Sequence, residues 1–518
     1  MIARGATWIA RGANGLIASL GLFYALVALG WTGFIASDDV TFAHGAYGWL
    51  EQFPYVGGHG TIRYTITIPM ALAFRMAGEN EFAMALPGLL YLSGLMVIAW
   101  LAVRRAAGPL PAFGALAALA TSPLLVIQAS IANVDVIELF FLTASVVVFW
   151  RCLNGEPRTG RLIAAGALAG AALLTRETAI FVAPFFGLLF VAGYRFARLR
   201  YLWIAAGFVS IWAIELAYLW AMTGDPLYRF HISLNHDATI DRSLDLAGNV
   251  IVNPLIDPLL VILLNQEFML LFWIAPPLIA WLALGRSVAP PVRLFARVIA
   301  LFALVWFICV GAAQHLLPLN PRYFMICAAM ASLLGGAALV LLIARGGRTA
   351  GLAAIGFMAL IGGNLAGIAV ENKQNTFGER QLARIVAVDP RATILTDPMT
   401  RYRADMLLRW EHAEPRVSDA PPAPGALLFY NPAHAAAANF KLPPERVALY
   451  QPRPEWTVVA RYRPPPTWLA RAIESSGLSA RIPQGVWHKL RYQHPEVTLY
   501  RIPAGTSPAG SSPLRQAQ

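Results

Sequence analysis

The sequence carries little charge for its length. Of its 518 residues, only 13% are Asp, Glu, Lys or Arg, whereas an average soluble chain has about 25%. Lysine is almost missing, since the only three lysines all follow residue 370. Hydrophobic residues make up 58% of the chain. Disordered chains and coiled coils need far more charge than this, so the composition excludes both, together with an ordinary soluble protein.

Cysteine is also scarce. The three cysteines, Cys152, Cys309 and Cys327, lie in or beside apolar segments and form no CxxC or Cys/His spacing. That pattern excludes a structural zinc site built on cysteine. We interpret all three as apolar packing residues.

Long apolar runs, by contrast, are abundant. A helix needs about 20 residues to cross roughly 30 Å of hydrocarbon. The sequence predicts eleven such spans, near 14–36, 82–103, 109–129, 132–151, 161–175, 178–194, 201–222, 267–285, 295–315, 323–344 and 349–370. The first is expected to be an anchor rather than a cleaved signal peptide, because its apolar run is too long and ends without a suitable cleavage site.

Arginine is distributed unevenly over the ends of these spans. With the N-terminus in the cytoplasm, fifteen arginines fall at cytoplasmic ends and six on the opposite side of the membrane region. The positive-inside rule therefore favours this orientation, and an odd number of spans places the C-terminal region outside. We expect a multi-pass protein of a bacterial inner membrane. Because much of the net charge of +12 marks topology, no nucleic-acid partner is expected.

The region after residue 370 has a different character, with more prolines and shorter apolar runs. It predicts an extracytoplasmic α/β domain over 371–504, followed by a disordered tail over 505–518. The predicted strands are Arg391–Leu395, Ala426–Tyr430, Trp456–Ala460 and Val497–Ile502, and the predicted helices are Tyr402–Trp410 and Ala433–Phe440.

Unusual polar residues collect on the predicted outer face, although they are spread over almost 300 residues of sequence. Ionisable groups at membrane depth are costly and tend to be functional. The candidates are Asp38 and Asp39 after the first span, His59, Arg63 and Tyr64 in the outer loop 37–81, Asp135 and Glu138 at the fourth span, Arg176 and Glu177 between the fifth and sixth, and Arg322 and Tyr323 at the tenth.

Each group also has a structural interpretation. Ser37 and Asn133 can cap the helices that follow them, with acids in the first helical turn. Arg176 and Glu177 can form an interfacial ion pair, and Arg322 can be a snorkelling anchor. These interpretations do not explain why arginines stand outside, against the positive-inside trend.

The order of these motifs resembles the GT-C membrane glycosyltransferases. The branch with protein O-mannosyltransferases and lipid A aminoarabinose transferases (glycosyltransferase family 39 and its relatives) is the most similar. In that family an acidic pair followed by an aromatic and small residues opens the first outer loop; here Asp38-Asp39 precedes Phe42, Ala43 and Ala46. The strings NVDVIELFF, LLTRETAIFVAP and NPRYF are similar to family segments in the same order, and the resemblance covers residues 14–345.

The resemblance implies a GT-C fold in a membrane domain over 1–370, with its catalytic first outer loop at 37–81. It also implies a polyprenyl-phosphate sugar as donor and an acceptor hydroxyl on a protein, lipid A or a glycan. The sugar would be transferred with inversion at the outer face, beside the bilayer that holds the lipid tail.

The same resemblance implies roles for individual residues. Asp38 would be the catalytic acid residue, with Asp39 as its partner, and Arg63 and Arg322 would face the donor phosphate. Asp135 would be the second outer acid, near any metal ion. Two departures are clear: the second acid of the pair is Asp where relatives have Glu, and the membrane region has no lysine, so arginine must make any phosphate contact.

This chemistry is consistent with first principles. An acceptor hydroxyl is a weak nucleophile, and a carboxylate that takes its proton accelerates attack by roughly 10²–10⁴-fold. A lipid phosphate leaves as a stable anion, which guanidinium groups can bind in a bidentate way. Whether a divalent cation such as Mg²⁺ or Mn²⁺ assists is left open by the sequence: Asp39, Asp135 and Glu138 could supply the oxygen ligands that it prefers, but no spacing requires one.

Two other functions remain open at this stage. A transporter or flippase of lipid-linked sugars predicts ionisable residues in mid-span and broken helices in paired halves. The main mid-span charge is Glu215, in the seventh span. A glycan ligase or polymerase would use the same donor chemistry, and the sequence separates it poorly from a simple glycosyltransferase.

Overall fold

The computed structural model describes residues 12–154, 158–236, 256–313, 319–372, 376–389, 391–435, 444–491 and 494–504. Its contacts divide the chain into two compact units. The first unit contains the described residues up to Gly33 and those of Thr41–Glu371. The second contains Phe34–Val40 and the described residues from Asn372 onward. The predicted tail 505–518 lies outside the described residues.

The first unit is helical throughout. Its α-helices are α1 Asn14–Leu29, α2 Asp38–Glu51, α3 Tyr64–Ala77, α4 Glu81–Ala107, α5 Pro109–Ala120, α6 Pro123–Ala129, α7 Asp135–Cys152, α8 Thr159–Thr175, α9 Val182–Ala192, α10 Leu202–Thr223, α11 Tyr228–His236, α12 Asp257–Leu264, α13 Leu271–Leu284, α14 Pro290–Ala312, α15 Met325–Arg345 and α16 Gly347–Glu371. The first turn of α2 groups with the second unit. Short 3₁₀ turns stand at Glu177–Phe181, Arg198–Tyr201 and Pro321–Phe324.

Five helical segments in the described residues are long and apolar enough to cross a membrane. They are Glu81–Ala107, Arg198–Thr223, Pro290–Ala312, Pro321–Arg345 and Gly347–Glu371. The pair α5 and α6, bent by 65°, makes a sixth if it is one span. Four shorter apolar helices coincide with predicted spans, at Asn14–Leu29, Thr159–Thr175, Glu177–Ala192 and Leu271–Leu284. The chain is thus a multi-pass helical membrane protein, but the count of eleven spans is not confirmed.

The first predicted span is shorter than expected. It was predicted to run to residue 36, but α1 ends at Leu29, and Gly30 donates its backbone N–H to the carbonyl of Leu26. From Gly30 to Ala36 the chain is not helical, with positive φ angles at Gly33 and Ala36. Sequence hydropathy misses this change because the residues stay apolar while the backbone leaves the helix.

Close helix packing in the first unit depends on glycine. A Cβ placed on Gly166 of α8 would lie 1.8 Å from the carbonyl oxygen of Ile204 on α10, and one on Gly207 would lie 2.1 Å from that of Ile163. Gly114 of α5 and Gly336 of α15 approach each other in the same way. Small residues let membrane helices approach this closely, which gains van der Waals contact.

The second unit contains a five-stranded sheet. Its strands are β1 Ile394–Thr396, β2 Val417–Ser418, β3 Leu427–Tyr430, β4 Thr457–Tyr462 and β5 Val497–Arg501, in the order β2-β1-β3-β5-β4. Strands β2, β1 and β3 are parallel, and β5 pairs antiparallel with both β3 and β4. Its α-helices are α17 Phe377–Val388, α18 Pro398–Trp410, α19 Pro432–Ala435, α20 Pro444–Leu449, α21 Trp468–Ser475 and α22 Gln484–Arg491, with 3₁₀ turns at Glu414–Arg416 and Leu478–Arg481.

The four predicted strands of this region are all present with shifted ends, whereas β2 was not predicted. The helix predicted over Tyr402–Trp410 begins four residues earlier, because Asp397 accepts a hydrogen bond from the backbone of Thr400 and so caps it. The helix predicted over Ala433–Phe440 is described only at Pro432–Ala435, and the rest lies outside the described residues. Helices α17, α20, α21 and α22 were also not predicted.

Candidate active site

Two arginines cap the C-terminal end of helix α8. The Nη1 atom of Arg63 donates to the carbonyl of Thr175 at 3.0 Å. Arg229 donates through Nη1 to the carbonyl of Leu173 at 3.2 Å and through Nη2 to that of Leu174 at 2.7 Å. The last carbonyls of a helix have no partner within it and carry its negative dipole end. The guanidinium groups therefore satisfy three carbonyls where positive charge is favoured.

Two acids connect these arginines. Glu177 accepts from Arg63 at 2.6 Å through Oε2 and from Arg229 at 3.2 Å through Oε1. Arg229 also lies 2.6 Å from Glu215, and both side chains of this last pair are almost fully buried. The mid-span charge noticed in the sequence is therefore neutralised inside the protein.

A second set of contacts lies around Arg176. Its Nη1 atom contacts Asp135, and its guanidinium lies over the ring of Tyr323, 4.4 Å from the centroid. The hydroxyl of Thr178 donates to Glu138 at 2.7 Å. Asp135, Glu138 and Tyr323 are all buried. The contacts bring the starts of α7 and α15 to the turn that follows α8.

Arg322 and Tyr323 occupy the 3₁₀ turn before α15. Asn320 accepts a hydrogen bond from the backbone N–H of Arg322 at 3.0 Å and thereby caps this turn. The guanidinium of Arg322 stands 5.5 Å from the ring centroid of Tyr323, and Trp306 donates to the Tyr323 carbonyl at 2.9 Å. Tyr323 is therefore within cation–π distance of two guanidinium groups, those of Arg176 and Arg322.

We call Arg63, Arg176, Arg229, Arg322 and their acids Asp135, Glu138, Glu177 and Glu215 the arginine cluster. Burial lowers the pKa of Arg63, while the carboxylate of Glu177 raises it and Arg229 lowers it further. Among the described residues, every hydrogen bond made by the Arg63 side chain passes through Nη1. Within the described part of the chain, its Nε and Nη2 therefore remain available to a ligand.

Aromatic rings surround Tyr64 at the start of α3. Its ring lies 5.6 Å from that of Tyr218 and 5.9 Å from that of Trp49, both edge to face. The hydroxyl of Tyr218 donates to the carbonyl of Tyr55 at 2.8 Å. Burial raises the pKa of Tyr64, as does the charge of Glu215. His59 lies half-buried in the loop between α2 and α3.

The two acids that open α2 differ in their surroundings. Asp39 is fully buried and accepts three backbone hydrogen bonds, from Ile35 at 2.7 Å, Ser37 at 2.6 Å and Val40 at 3.1 Å. Burial raises the pKa of Asp39, and these hydrogen bonds partly offset that effect. Asp38 is exposed at the helix start. Asp39 thus fixes the local backbone, while Asp38 is the acid that solvent or a substrate can reach.

The structure groups most of the predicted residues and adds others. Arg63, Tyr64, Asp135, Glu138, Arg176, Glu177, Arg322 and Tyr323 belong to the first unit, whereas Asp38 and Asp39 group with the second. Sequence reasoning missed Arg229, Glu215 and Thr178 as members of the site. An outer arginine following a span that contains a buried acid was the available signal for Arg229 and Glu215.

The residues named for a metal ion make other contacts. The carboxylate of Asp39 accepts hydrogen bonds from three backbone N–H groups, and that of Asp135 contacts Arg176. Across the described part of the chain, no three His, Cys, Asp or Glu side chains are grouped so as to hold an ion. Asp39 and Asp135 are therefore each engaged by other groups of the protein.

Comparison with known proteins identifies the fold of the chain. Residues 64–220 match the sequence profile of the family described as dolichyl-phosphate-mannose-protein mannosyltransferase. The structure of ArnT from Cupriavidus metallidurans bound to undecaprenyl phosphate is similar over 94% of this chain and 97% of that one, with a TM-score of 0.53 at 13% identity. The chain has the GT-C fold. That fold, expected from the order of its motifs, is confirmed.

Other GT-C structures agree. ArnT in the apo state gives a TM-score of 0.56 at 14% identity, over 96% of this chain and 98% of that one. The oligosaccharyltransferase of Archaeoglobus fulgidus, in a complex with Zn and sulfate, gives 0.50 at 12% identity, over 78% of this chain and 62% of that one. No curated protein sequence matches the chain significantly. At these identities the likeness establishes the fold alone.

Proposed function

We propose that this protein transfers a sugar from a polyprenyl-phosphate donor to an acceptor hydroxyl, with inversion, at the outer face of a bacterial inner membrane. The observation that carries the proposal is the arginine cluster, in which Arg63 keeps Nε and Nη2 available. The similar ArnT structure, described as bound to undecaprenyl phosphate, supports this donor class.

The arginine cluster suits a lipid phosphate as leaving group. The phosphate gains negative charge as the bond to the sugar breaks, and fixed guanidinium groups stabilise that charge without reorganising. Arg63 and Arg322 are the proposed contacts with the phosphate, and Glu177 orients Arg63 through its Nη1 atom. Guanidinium groups bind phosphate oxygens more specifically than an ammonium does, which is consistent with a membrane region without lysine.

Asp38 is the proposed general base. It is exposed at the start of α2, so an acceptor hydroxyl can reach it. The base would take the hydroxyl proton as the oxygen forms its bond to the anomeric carbon. The phosphate leaves from the opposite face, and one displacement of this kind inverts the configuration. Asp39 would support Asp38 by holding the backbone before it.

Transport of the lipid-linked sugar is disfavoured by the same contacts. A transport path predicts mid-span charges that face a cavity. Glu215 instead pairs with Arg229, and both side chains are almost fully buried. A protein, lipid A or a glycan remains the proposed acceptor, since each presents a hydroxyl.

The test uses purified protein in proteoliposomes, a panel of labelled undecaprenyl-phosphate sugars and membrane extract as the acceptor source. We expect transfer by the wild type and a fall of about 10²–10⁴-fold in kcat for Asp38→Asn. Arg63→Met should lower kcat/KM for the donor, because the contact binds the phosphate and also stabilises the charge that develops as the bond breaks. Glu51→Gln, at an exposed acid of the same helix α2, is the matched control and should transfer normally.

Three results would contradict parts of the proposal. Transfer by Asp38→Asn at the wild-type rate would remove Asp38 as base. An unchanged kcat/KM for the donor in Arg63→Met would contradict the phosphate contact. Movement of intact lipid-linked sugar across the vesicle membrane, with no transfer, would favour a transporter.

A further inference from the structure

The segment Phe34–Val40, which carries Asp38, has an unusual backbone. Ala36 has a φ of 55°, in the left-handed region that favours glycine and costs other residues energy. A strained conformation of this kind persists only when surrounding contacts hold it. The segment belongs to the second unit, and residues of that unit make the contacts that hold its backbone.

Arg403 of helix α18 holds the middle of this segment. Its Nη2 donates to the carbonyl of Ile35 at 2.9 Å, and its Nη1 donates to that of Ala36 at 3.2 Å. These carbonyls lie on both sides of the strained residue. One planar guanidinium therefore fixes two successive peptide groups just before Asp38, which a single ammonium could not do with the same geometry.

The beginning of the segment is held separately. Thr376 donates to the carbonyl of Phe34 at 2.8 Å, and Arg380 donates to the same carbonyl at 3.2 Å. The fully buried ring of Phe34 packs edge to face against Trp410 at 5.7 Å. These contacts anchor the segment at a point four residues before Asp38.

Arg403 is itself oriented by a buried acid. Its Nε donates to Oε1 of Glu379 at 2.9 Å, so its three nitrogens have three different acceptors. Glu379 is fully buried, and the same oxygen lies 2.7 Å from Nε2 of His434. The guanidinium is thereby fixed on one side by Glu379 and directs its remaining donors to the segment.

We propose that Arg403, oriented by Glu379, is a positioning residue that sets the backbone presenting Asp38. The inference rests on the proposed function, because it requires Asp38 to act on the acceptor. The arginine cluster is not involved, so loss of Arg403 should reduce kcat and leave the donor KM nearly unchanged. A misplaced catalytic group can reduce the rate by about 100-fold.

The first experiment measures order in the segment without any substrate. Hydrogen exchange is followed on a peptide covering residues 34–40 in nanodisc-embedded wild type, Arg403→Met and Arg403→Met/Glu379→Gln. The double variant removes the stranded carboxylate that could unfold the unit. We expect exchange of the Ile35 and Ser37 amides to accelerate by about tenfold or more, while β1 and β3 stay protected.

Arg401→Met is the matched control. Arg401 lies two residues away on the same helix α18 and contacts the Val417 carbonyl and Asp405. It makes no hydrogen bond with the described segment 34–40, so its variant should leave exchange there unchanged. Exchange at wild-type rates in Arg403→Met would overturn the proposal, as would an equal acceleration in Arg401→Met.

The second experiment tests whether Arg403 acts through Asp38. Arg403→Met is compared with wild type and, separately, combined with Asp38→Asn. In a protein that is otherwise wild type, we expect Arg403→Met to lower kcat by about 100-fold. In a protein that already carries Asp38→Asn, it should lower kcat by less than about threefold, because the carboxylate that Arg403 positions is already lost. Equal losses in both backgrounds would overturn the proposal. If the wild type transfers no sugar, the proposed function fails, whereas the exchange result still decides whether Arg403 orders the segment.

Discussion

Replacing Arg229 with methionine should destabilise the first unit strongly. Arg229 is almost fully buried and makes two ion pairs, to Glu177 and Glu215, and two hydrogen bonds to carbonyls at the end of α8. Methionine fills much of the same volume without charge. Glu177 keeps Arg63 as a partner, whereas Glu215 loses the one ion pair that it makes among the described residues.

The size of the loss of stability depends on the groups that lose Arg229 as a partner. A buried carboxylate deprived of its partner costs about 3–5 kcal/mol. Arg229→Met/Glu215→Leu leaves no such charge and should recover that part of the stability. The remaining loss comes from the two carbonyls that lack a donor, at about 1–3 kcal/mol for each.

The assay is denaturation of the detergent-solubilised protein, followed by tryptophan fluorescence. The midpoints should rank wild type first, then the double variant, then Arg229→Met. Arg75→Met, at an exposed arginine on the same predicted face, should lie within about 0.5 kcal/mol of wild type. If the double variant is less stable than Arg229→Met, the stranded carboxylate is not the main loss and the reasoning is refuted.

Two further predictions concern the two units separately. Burial alone would raise the pKa of Glu379, but His434 and the nearby arginine charge lower it below its ordinary value. The ionised carboxylate therefore stabilises the fold above about pH 4, and this stabilisation is lost as the pH falls below that value. The melting temperature of wild type should exceed that of Glu379→Gln at pH 6 and approach it at pH 3.5. A difference between the two melting temperatures that grows in acid would contradict the prediction. In the first unit, Gly207→Ala forces a Cβ against the Ile163 carbonyl and should lower the melting temperature. Gly187→Ala is the control, because a Cβ there meets nothing within 4 Å, and it should not lower the melting temperature. Equal melting temperatures for the two variants would refute the close packing at Gly207.

Local sequence features predicted much of the helical framework. Apolar runs located the long helices because a residue that faces lipid or a membrane core must be apolar wherever it stands in the fold. They failed at the end of α1, where Gly30 ends the helix although the next residues stay apolar. They also failed to predict α17, where short-range hydropathy gives no long apolar run.

The site was only partly predictable. Arg63, Arg176 and Glu177 attracted notice because charge is rare at the predicted outer ends of the spans. Arg229 and Glu215 looked unrelated because their pairing depends on how α11 folds back to α10. The resemblance implied different roles for Asp38 and Asp39, but it did not show which of them is buried. In the structure the backbone N–H groups of Ile35 and Ser37 donate to Asp39, which distinguishes the buried acid from the exposed one.

The sequence by itself determined that this is a helical membrane protein with acids and arginines gathered on one predicted face, because the cost of charge in a bilayer restricts where such residues can stand. The tertiary structure decided which of those residues pair and which acid is exposed. It also placed Phe34–Val40 in the second unit, through contacts such as that of Arg403 with Ile35, which lie 368 residues apart in the sequence. Hydrogen bonds across such a separation depend on the folded positions of both backbones, which no local pattern of residue types contains.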